Sequence, residues 1–219
     1  MTIKAVLFDL DGVLVDACDW HYIALNKSLQ NVSGMEIDEV SHMTTFNGLP
    51  TKRKLEMLVE NGKIKEYQVD QIWKLKQMYT IETINENASP DPSKILIHHQ
   101  LGTRSINRAC VTNSIKETAE LMLEKTGQIK MLDFVISNED VKNNKPHPEP
   151  YVTAMARLGS LPDETLIIED SEKGMESALG TGAHVLKVNN AKDVTWEKIS
   201  EIISSIDEEF EYTWIEKAE

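Results

Sequence analysis

Ala5-Val6-Leu7-Phe8-Asp9-Leu10-Asp11-Gly12 decides how the chain folds. Apolar residues stand in a row until acid stops them. A run this short, with no alternation, predicts a strand buried on both faces of a parallel sheet. Comparable runs recur at Ala109-Cys110-Val111, Phe134-Val135-Ile136, Leu166-Ile167-Ile168 and Val185-Leu186-Lys187-Val188, each ending in polar residues. Helical patterns lie between them. One begins near Ile115, with Thr112 or Ser114 as its cap and Ala119, Met122 and Leu123 at helical spacing. A second covers about Pro148 to Leu158 and stops at Gly159; a third covers about Gly174 to Leu179 and stops at Gly180. Strands alternating with helices in this way predict a doubly wound α/β fold around a parallel sheet.

The segment from about Asp16 to Asn87 departs from that alternation and holds no run that suits a strand. Tyr22, Leu25, Leu29 and Val32 recur at spacings of three and four, as one face of a helix does. Leu55, Leu58 and Val59 make a second such face, closed by Asn61-Gly62, and Val69, Ile72, Trp73 and Tyr79 make a third. Residues 16–87 therefore form an expected all-helical insert, with 1–15 and 88–219 as the α/β core and Pro90 and Pro92 marking the exit. Met35, Met43, Met57 and Met78 suit packing inside the insert. His98 and His99 fall in a further helical stretch with no acid at ligand spacing, which suits a structural role.

The whole chain has 219 residues, enough for one generous domain or a core with a smaller insert. Its 23 basic and 36 acidic residues leave a net charge of −13, which argues against a nucleic-acid partner, because phosphate backbones demand a basic face. Six of the acids fall between Asp207 and Glu219 and suit a solvated tail. Two cysteines, Cys18 and Cys110, make no disulfide framework and suit a reducing compartment. The first apolar run is too short for a signal peptide, and no window approaches the roughly 18 uncharged residues of a membrane span. The expectation is a soluble, cytoplasmic monomer with no membrane partner.

In an open parallel sheet, ligands bind beyond the carboxyl ends of the strands. Here the first strand delivers Asp9 and Asp11, the second Thr112-Asn113-Ser114, and the fourth Glu169-Asp170-Ser171. Lys145 lies between the third and fourth, in Asn144-Lys145-Pro146-His147-Pro148. Asp9, Asp11, Glu169 and Asp170 crowded together would repel one another. A hard divalent cation such as Mg²⁺, which prefers one or two carboxylates plus waters and a phosphate oxygen, resolves that repulsion. A phosphate also needs donors, which Lys145, the Thr112 hydroxyl and nearby amides such as that of Asn113 supply. A carboxylate nucleophile then accounts for covalent phosphoryl transfer. Asp9 and Asp11 point the same way on an extended chain, which suits a nucleophile and its acid/base partner. Glu169 and Asp170 are adjacent and point oppositely, so direct metal contact by Glu169 stays open.

These segments carry a resemblance. Phe8-Asp9-Leu10-Asp11-Gly12-Val13-Leu14-Val15-Asp16 resembles the first signature of the haloacid dehalogenase-like superfamily. Val111-Thr112-Asn113-Ser114 resembles its second, Lys145-Pro146-His147-Pro148-Glu149 its third, and Ile168-Glu169-Asp170-Ser171-Glu172-Lys173-Gly174 its fourth. All stand in order between Ile3 and about Val188, and the insert resembles the helical cap of the phosphoglucomutase-like subgroup. The resemblance implies a Mg²⁺-dependent phosphatase acting on a small phosphorylated metabolite. Asp9 would attack phosphorus and carry an aspartyl-phosphate. Asp11 would protonate the leaving oxygen and later take a proton from water. Asp170 would hold Mg²⁺ with Asp9 and the Asp11 carbonyl, and Glu169 would assist. Thr112 and Lys145 would bind the phosphoryl oxygens. With Asp11 present, the true dehalogenases, which lack this second acid, fit poorly.

The resemblance extends into the cap. His21 stands one step off the first helical stripe, and in the mutase branch a histidine at this place touches the acid/base Asp and the substrate. Asn47-Gly48-Leu49-Pro50-Thr51-Lys52 occupies the place of the cap specificity loop, with Gly48, Thr51 and Lys52 as candidate substrate contacts. The mutases carry an arginine where Thr51 aligns and a lysine where Ile115 aligns, both for a distal phosphate. Lys52 and Lys116 each stand one place away. Loss of both cations at their aligned places favours hydrolysis over a mutase, which must hold either end of its intermediate. A phosphosugar mutase and, more remotely, a non-catalytic metabolite-binding module stand as alternatives. A phosphonate-cleaving branch fits less well, because no lysine stands at its expected place on the first cap helix and Lys27 lies farther along.

Overall fold

The opening run is β1 (Ala5–Phe8), and every one of its residues is buried. β2 (Asn107–Val111) and then β3 (Phe134–Ile136) lie on one side of it. β4 (Thr165–Glu169) and then β5 (His184–Lys187) lie on the other, and every pairing is parallel. Successive side chains point to opposite faces. Val6, Phe8, Cys110, Leu166 and Ile168 thus join one apolar cluster, while Leu7, Ala109, Val111 and Ile167 join another. Burial on both faces is why the runs show no alternation. β2 and β4 extend past their apolar runs, since Asn107, Arg108, Thr165 and Glu169 still pair in register. The computed structural model describes residues 2–218, with side chains as far as Glu208.

Register is what assembles the site. Phe8 stands opposite both Cys110 and Ile168, so the segments that follow β1, β2 and β4 emerge along one edge. The chain runs outward from β1 through β2 and β3, then returns on the far side to β4. That reversal opens a crevice beside β1, the usual ligand position in such sheets.

Between β1 and β2 come α1 (Cys18–Ser33), the three-residue α2 (Glu39–Ser41) with a π-helical turn over His42–Phe46, α3 (Thr51–Glu60), α4 (Val69–Asn87) and α5 (Pro92–Thr103). Leu25, Leu29, Leu55, Leu58 and Ile72 make a third apolar cluster, separate from those of the sheet. α4 departs from the pattern in the sequence: its buried side includes Lys76, Gln77, Thr80 and Thr83, while Tyr79 takes an exposed hydrogen bond from Asn31 Nδ2 at 2.7 Å. Met35 and Met57 pack on the third cluster, but Met43 and Met78 are exposed. His98 is buried in α5, its Nε2 3.1 Å from Gln128 Oε1.

α6 (Lys116–Lys125) begins without the side-chain cap expected of it. Ser114 Oγ is turned to Asp11, and Thr112 Oγ1 accepts the Ser114 N–H, so Glu139 Oε2 takes the Lys116 N–H at 2.8 Å instead. α7 (Glu149–Leu158) ends on Gly159 at φ 66°, and α8 (Glu172–Leu179) starts from Ser171, whose hydroxyl accepts the Gly174 N–H. The acidic segment, expected to be a solvated tail, is helical as far as Ala218. α9 (Trp196–Ala218) runs through it, with Asp207 half-buried and Glu208 exposed, and the side chains beyond lie outside the described residues. Among the described residues, no helix is long and apolar enough to cross a membrane.

Gly174 illustrates how tightly the fold and the strand-end acids are joined. The Glu169 carboxylate occupies the space where a Cβ at position 174 would stand. Gly174→Ala must push that carboxylate aside, and overpacking of this kind costs about 1–3 kcal/mol. For a chain this long the expected fall in melting temperature is roughly 2–12 °C. Circular dichroism during heating measures it, and a wild-type melting temperature would count against the packing described.

Candidate active site

The strand-end segments meet. Asp9 is 8% exposed, Glu169 is fully enclosed, and one oxygen from each of Asp9, Glu169 and Asp170 lies within 4.8 Å of the others. Lys145 reaches in from the loop before α7. Its Nζ donates to Asp9 Oδ1 at 2.7 Å, to Glu169 Oε1 at 2.5 Å and to the Val111 carbonyl at 2.8 Å. The Tyr151 hydroxyl, on α7, stands 2.8 Å from the same ammonium and donates to Glu169 Oε1 at 2.6 Å. Sequence reasoning missed Tyr151. The signal was there: a tyrosine on the buried side of a helix needs a partner for its hydroxyl.

Burial sets the electrostatics of this group. It pushes Asp9 well above its ordinary value, Glu169, Asp170 and Asp11 add to the effect, and Lys145 pulls the other way. Asp170 rises to about 7, burial first and Glu169 next. Burial opposes the Lys145 ammonium as well, but Asp9 and Glu169 hold it above its usual range. One lysine does not balance this many acids. Asp170 Oδ1 is buried with no hydrogen-bond partner, and a set of carboxylate oxygens suits a hard cation. These residues fit Mg²⁺. Glu169 Oε1 is taken by Lys145 and Tyr151, and Oε2 accepts the Asp170 N–H at 3.2 Å. Glu169 thus backs the group from behind the cavity wall.

Asp11 belongs to a second network. His21 Nε2 lies 2.9 Å from its Oδ1, and Ser114 Oγ donates to its Oδ2 at 2.9 Å. Lys76 Nζ stands 3.1 Å from His21 Nδ1. Burial would raise Asp11, but His21, then Ser114 and Lys76, hold it at about 2. Burial keeps His21 below its ordinary value even beside Asp11. The neutral ring then accepts from Lys76 on Nδ1 and donates to Asp11 from Nε2, a tautomer assigned from the network. Sequence reasoning assigns Lys76 no role and Ser114, in the second strand-end segment, only that of a candidate helix cap. Lys76 falls four places after Ile72 on the buried side of α4, and a cation on such a stripe was the available clue.

A cavity of about 400 Å³ opens over both groups. Asp9, Asp11, Thr112, Asn113, Lys145 and Asp170 line it from the α/β side, and His21, Gly48, Thr51 and Lys52 from the helical side. Thr112 Oγ1 accepts the Ser114 N–H at 3.0 Å and keeps its own O–H to donate. The Asn113 side chain is committed elsewhere. It donates to the Gly48 carbonyl at 2.7 Å and the Lys145 carbonyl at 3.1 Å and accepts the Lys145 N–H at 3.1 Å, tying loops together. Gly48, at φ +75°, approaches α8 so closely that a Cβ would lie 3.1 Å from Ser171 Oγ. Thr51 opens α3, half-buried, whereas Lys52 is exposed with its ammonium 5.8 Å above the Trp73 ring. Lys116 pairs with Glu120 at 3.9 Å and Lys27 lies over Tyr79, and neither lines the cavity.

The chain has recognisable relatives. A family model described as haloacid dehalogenase-like hydrolase matches residues 6–188. Pyrophosphatase PpaX of Oceanobacillus iheyensis is 30% identical over 182 residues, covering 81% of this chain and 79% of that protein. Hexitol phosphatase A of Escherichia coli is 29% identical, covering 88% of this chain and 86% of its own. Among solved structures, beta-phosphoglucomutase from Clostridium difficile aligns with a TM-score of 0.81 and 25% identity, covering 93% of this chain and 98% of that one.

Proposed function

This chain belongs to the haloacid dehalogenase-like hydrolases, and from that premise we propose that it is a Mg²⁺-dependent phosphatase of small phosphorylated metabolites, working through an aspartyl-phosphate on Asp9. One observation carries the proposal. Asp9 is held by Lys145 on one oxygen, beside the unpartnered Asp170 Oδ1, at a cavity that Asp11 also lines. A nucleophile, a cation pocket and an acid/base group thereby share one wall. Residues 16–87 act as a cap over the core formed by 1–15 and 88–219, excluding water and adding substrate contacts. The free thiols of Cys18 and Cys110 suit a reducing cytoplasm.

The chemistry follows from the geometry. The Asp9 carboxylate attacks phosphorus and the ester bond breaks. Lys145, the Thr112 hydroxyl and adjacent main-chain amides receive the phosphoryl oxygens. Asp11 gives a proton to the leaving oxygen, then takes one from the water that cleaves the aspartyl-phosphate. In the free protein Asp11 is held at about 2, and the negative charge of an incoming phosphate raises it toward the protonated form that the first step needs. Mg²⁺, held by Asp9, Asp170 and the Asp11 carbonyl with Glu169 in support, supplies positive charge for the clustered acids and the phosphate.

Phosphate release from a panel of phosphorylated metabolites with Mg²⁺ tests the proposal, and no release from any member would contradict it. Chelation is expected to abolish turnover and to lower the melting temperature, because Asp9, Glu169 and Asp170 are left to repel one another. Added Mg²⁺ should restore both, whereas a melting temperature indifferent to Mg²⁺ would refute the cation pocket. The rival phosphosugar mutase draws on the likeness to the Clostridium difficile enzyme. Supplying a sugar bisphosphate separates the two, as rearrangement without free phosphate would favour the mutase. A non-catalytic binding module would give neither product.

A further inference from the structure

We propose that the α3–α4 wall of the cavity is a second anion-binding subsite, built on Lys54 with Lys76 beside it, and that the preferred substrates are phosphomonoesters whose leaving group carries its own carboxylate or phosphate. The proposal rests on the phosphatase reading for the first phosphate and adds what the other end of the substrate must be.

Three cations follow one another on α3, and the structure treats them differently. Lys52 is exposed over Trp73, and Arg53 is exposed and pairs with Glu56 at 3.1 Å and Glu60 at 3.0 Å. Lys54 alone of the three is buried, at 7% exposure, yet it lines the cavity. Among the described residues it has no hydrogen-bond partner and no acid within ion-pair distance. Lys76, at 6% exposure, lines the same cavity and meets His21 Nδ1. An unpaired buried ammonium costs several kcal/mol, so two on one wall need a compensating charge. Burial pushes Lys54 down to about 8, and burial with the charge of Lys54 pushes Lys76 down to about 7. Asp11 pulls both back up, but its oxygens are already engaged by His21 and Ser114.

The transferring phosphoryl does not answer this need. Lys145 and Thr112 receive it at the strand ends, whereas Lys54 and Lys76 approach from the helical side. Asp11, the proton donor to the leaving oxygen, is joined to Lys76 through His21. A group that meets Lys54 therefore belongs to the leaving alcohol. Charge on that alcohol would pair with both lysines at once.

Matched pairs of ligands test this by binding, independently of turnover. Phosphoglycolate against hydroxyethyl phosphate, and a hexose bisphosphate against the hexose monophosphate, are titrated calorimetrically into Asp9→Asn protein with Mg²⁺. The charged member of at least one pair is expected to bind roughly tenfold tighter, about the effect of one charge-assisted contact, and the pair that discriminates identifies carboxylate or phosphate. Adding Lys54→Met should bring the ratio to about one, and Lys54→Arg should largely keep it. Equal or absent binding of both charged members, or a preference that survives Lys54→Met, overturns the subsite. Phosphate release by the wild-type protein is scored separately. Preference without release leaves the subsite standing and removes the phosphatase, and release without preference does the reverse.

Discussion

Asp9→Asn is expected to lose at least about 10⁴-fold of phosphate release, the scale seen when a catalytic nucleophile is removed, while the fold persists. The amide has nearly the shape of the carboxylate and keeps an oxygen for Lys145, so the contact at 2.7 Å has a ready replacement. What disappears is the negative oxygen that attacks. The substitution also removes one charge from a group in which burial, Glu169 and Asp170 already disfavour the ionised form of Asp9. The metal-free variant should therefore melt at or above the wild-type temperature. Phosphate release and thermal unfolding measured on one preparation separate the effects. Turnover within tenfold of wild type would remove Asp9 from the nucleophile's role.

Asp11→Asn is expected to fail in a more informative way. The amide oxygen can still accept from His21 Nε2 while its N–H₂ donates to the Ser114 hydroxyl oxygen, so the two contacts at 2.9 Å have ready replacements and the network keeps its shape. It cannot move a proton, and general acid/base groups are worth about 10²–10⁴-fold. An aryl phosphate with a good leaving group needs little protonation, so Asp9 should still become phosphorylated. Hydrolysis of that intermediate then lacks its base. The expected trace is a burst of aryl alcohol, close to one per enzyme, followed by turnover at least about 10²-fold below wild type. Alkyl phosphates should show no burst. Steady turnover near the wild-type rate with both substrates would contradict the role given to Asp11.

The parts of the molecule legible in sequence are those fixed by neighbours along the chain. β1 and β3 match their apolar runs end for end, because burial on both faces leaves a local signature. Asp9, Thr112, Lys145 and Asp170 could be placed because strand ends in a parallel sheet share one edge. What escaped depends on partners distant in sequence. Tyr151 matters through Glu169, and Ser114 abandons helix capping because Asp11 claims its hydroxyl. Lys54 and Lys76 look like solvated charges on amphipathic helices, and only the closed arrangement of α3, α4 and the sheet edge buries them. The Lys52-Arg53-Lys54 triplet shows the limit well: three like residues in a row, of which the fold encloses one.

An acyl phosphate can be caught chemically. Wild-type protein quenched during turnover and reduced with borohydride should yield homoserine in place of aspartate at position 9, identified by peptide mass spectrometry and absent without substrate. Robust turnover with Asp9 unmodified, or with the modification on another residue, would contradict covalent transfer through Asp9.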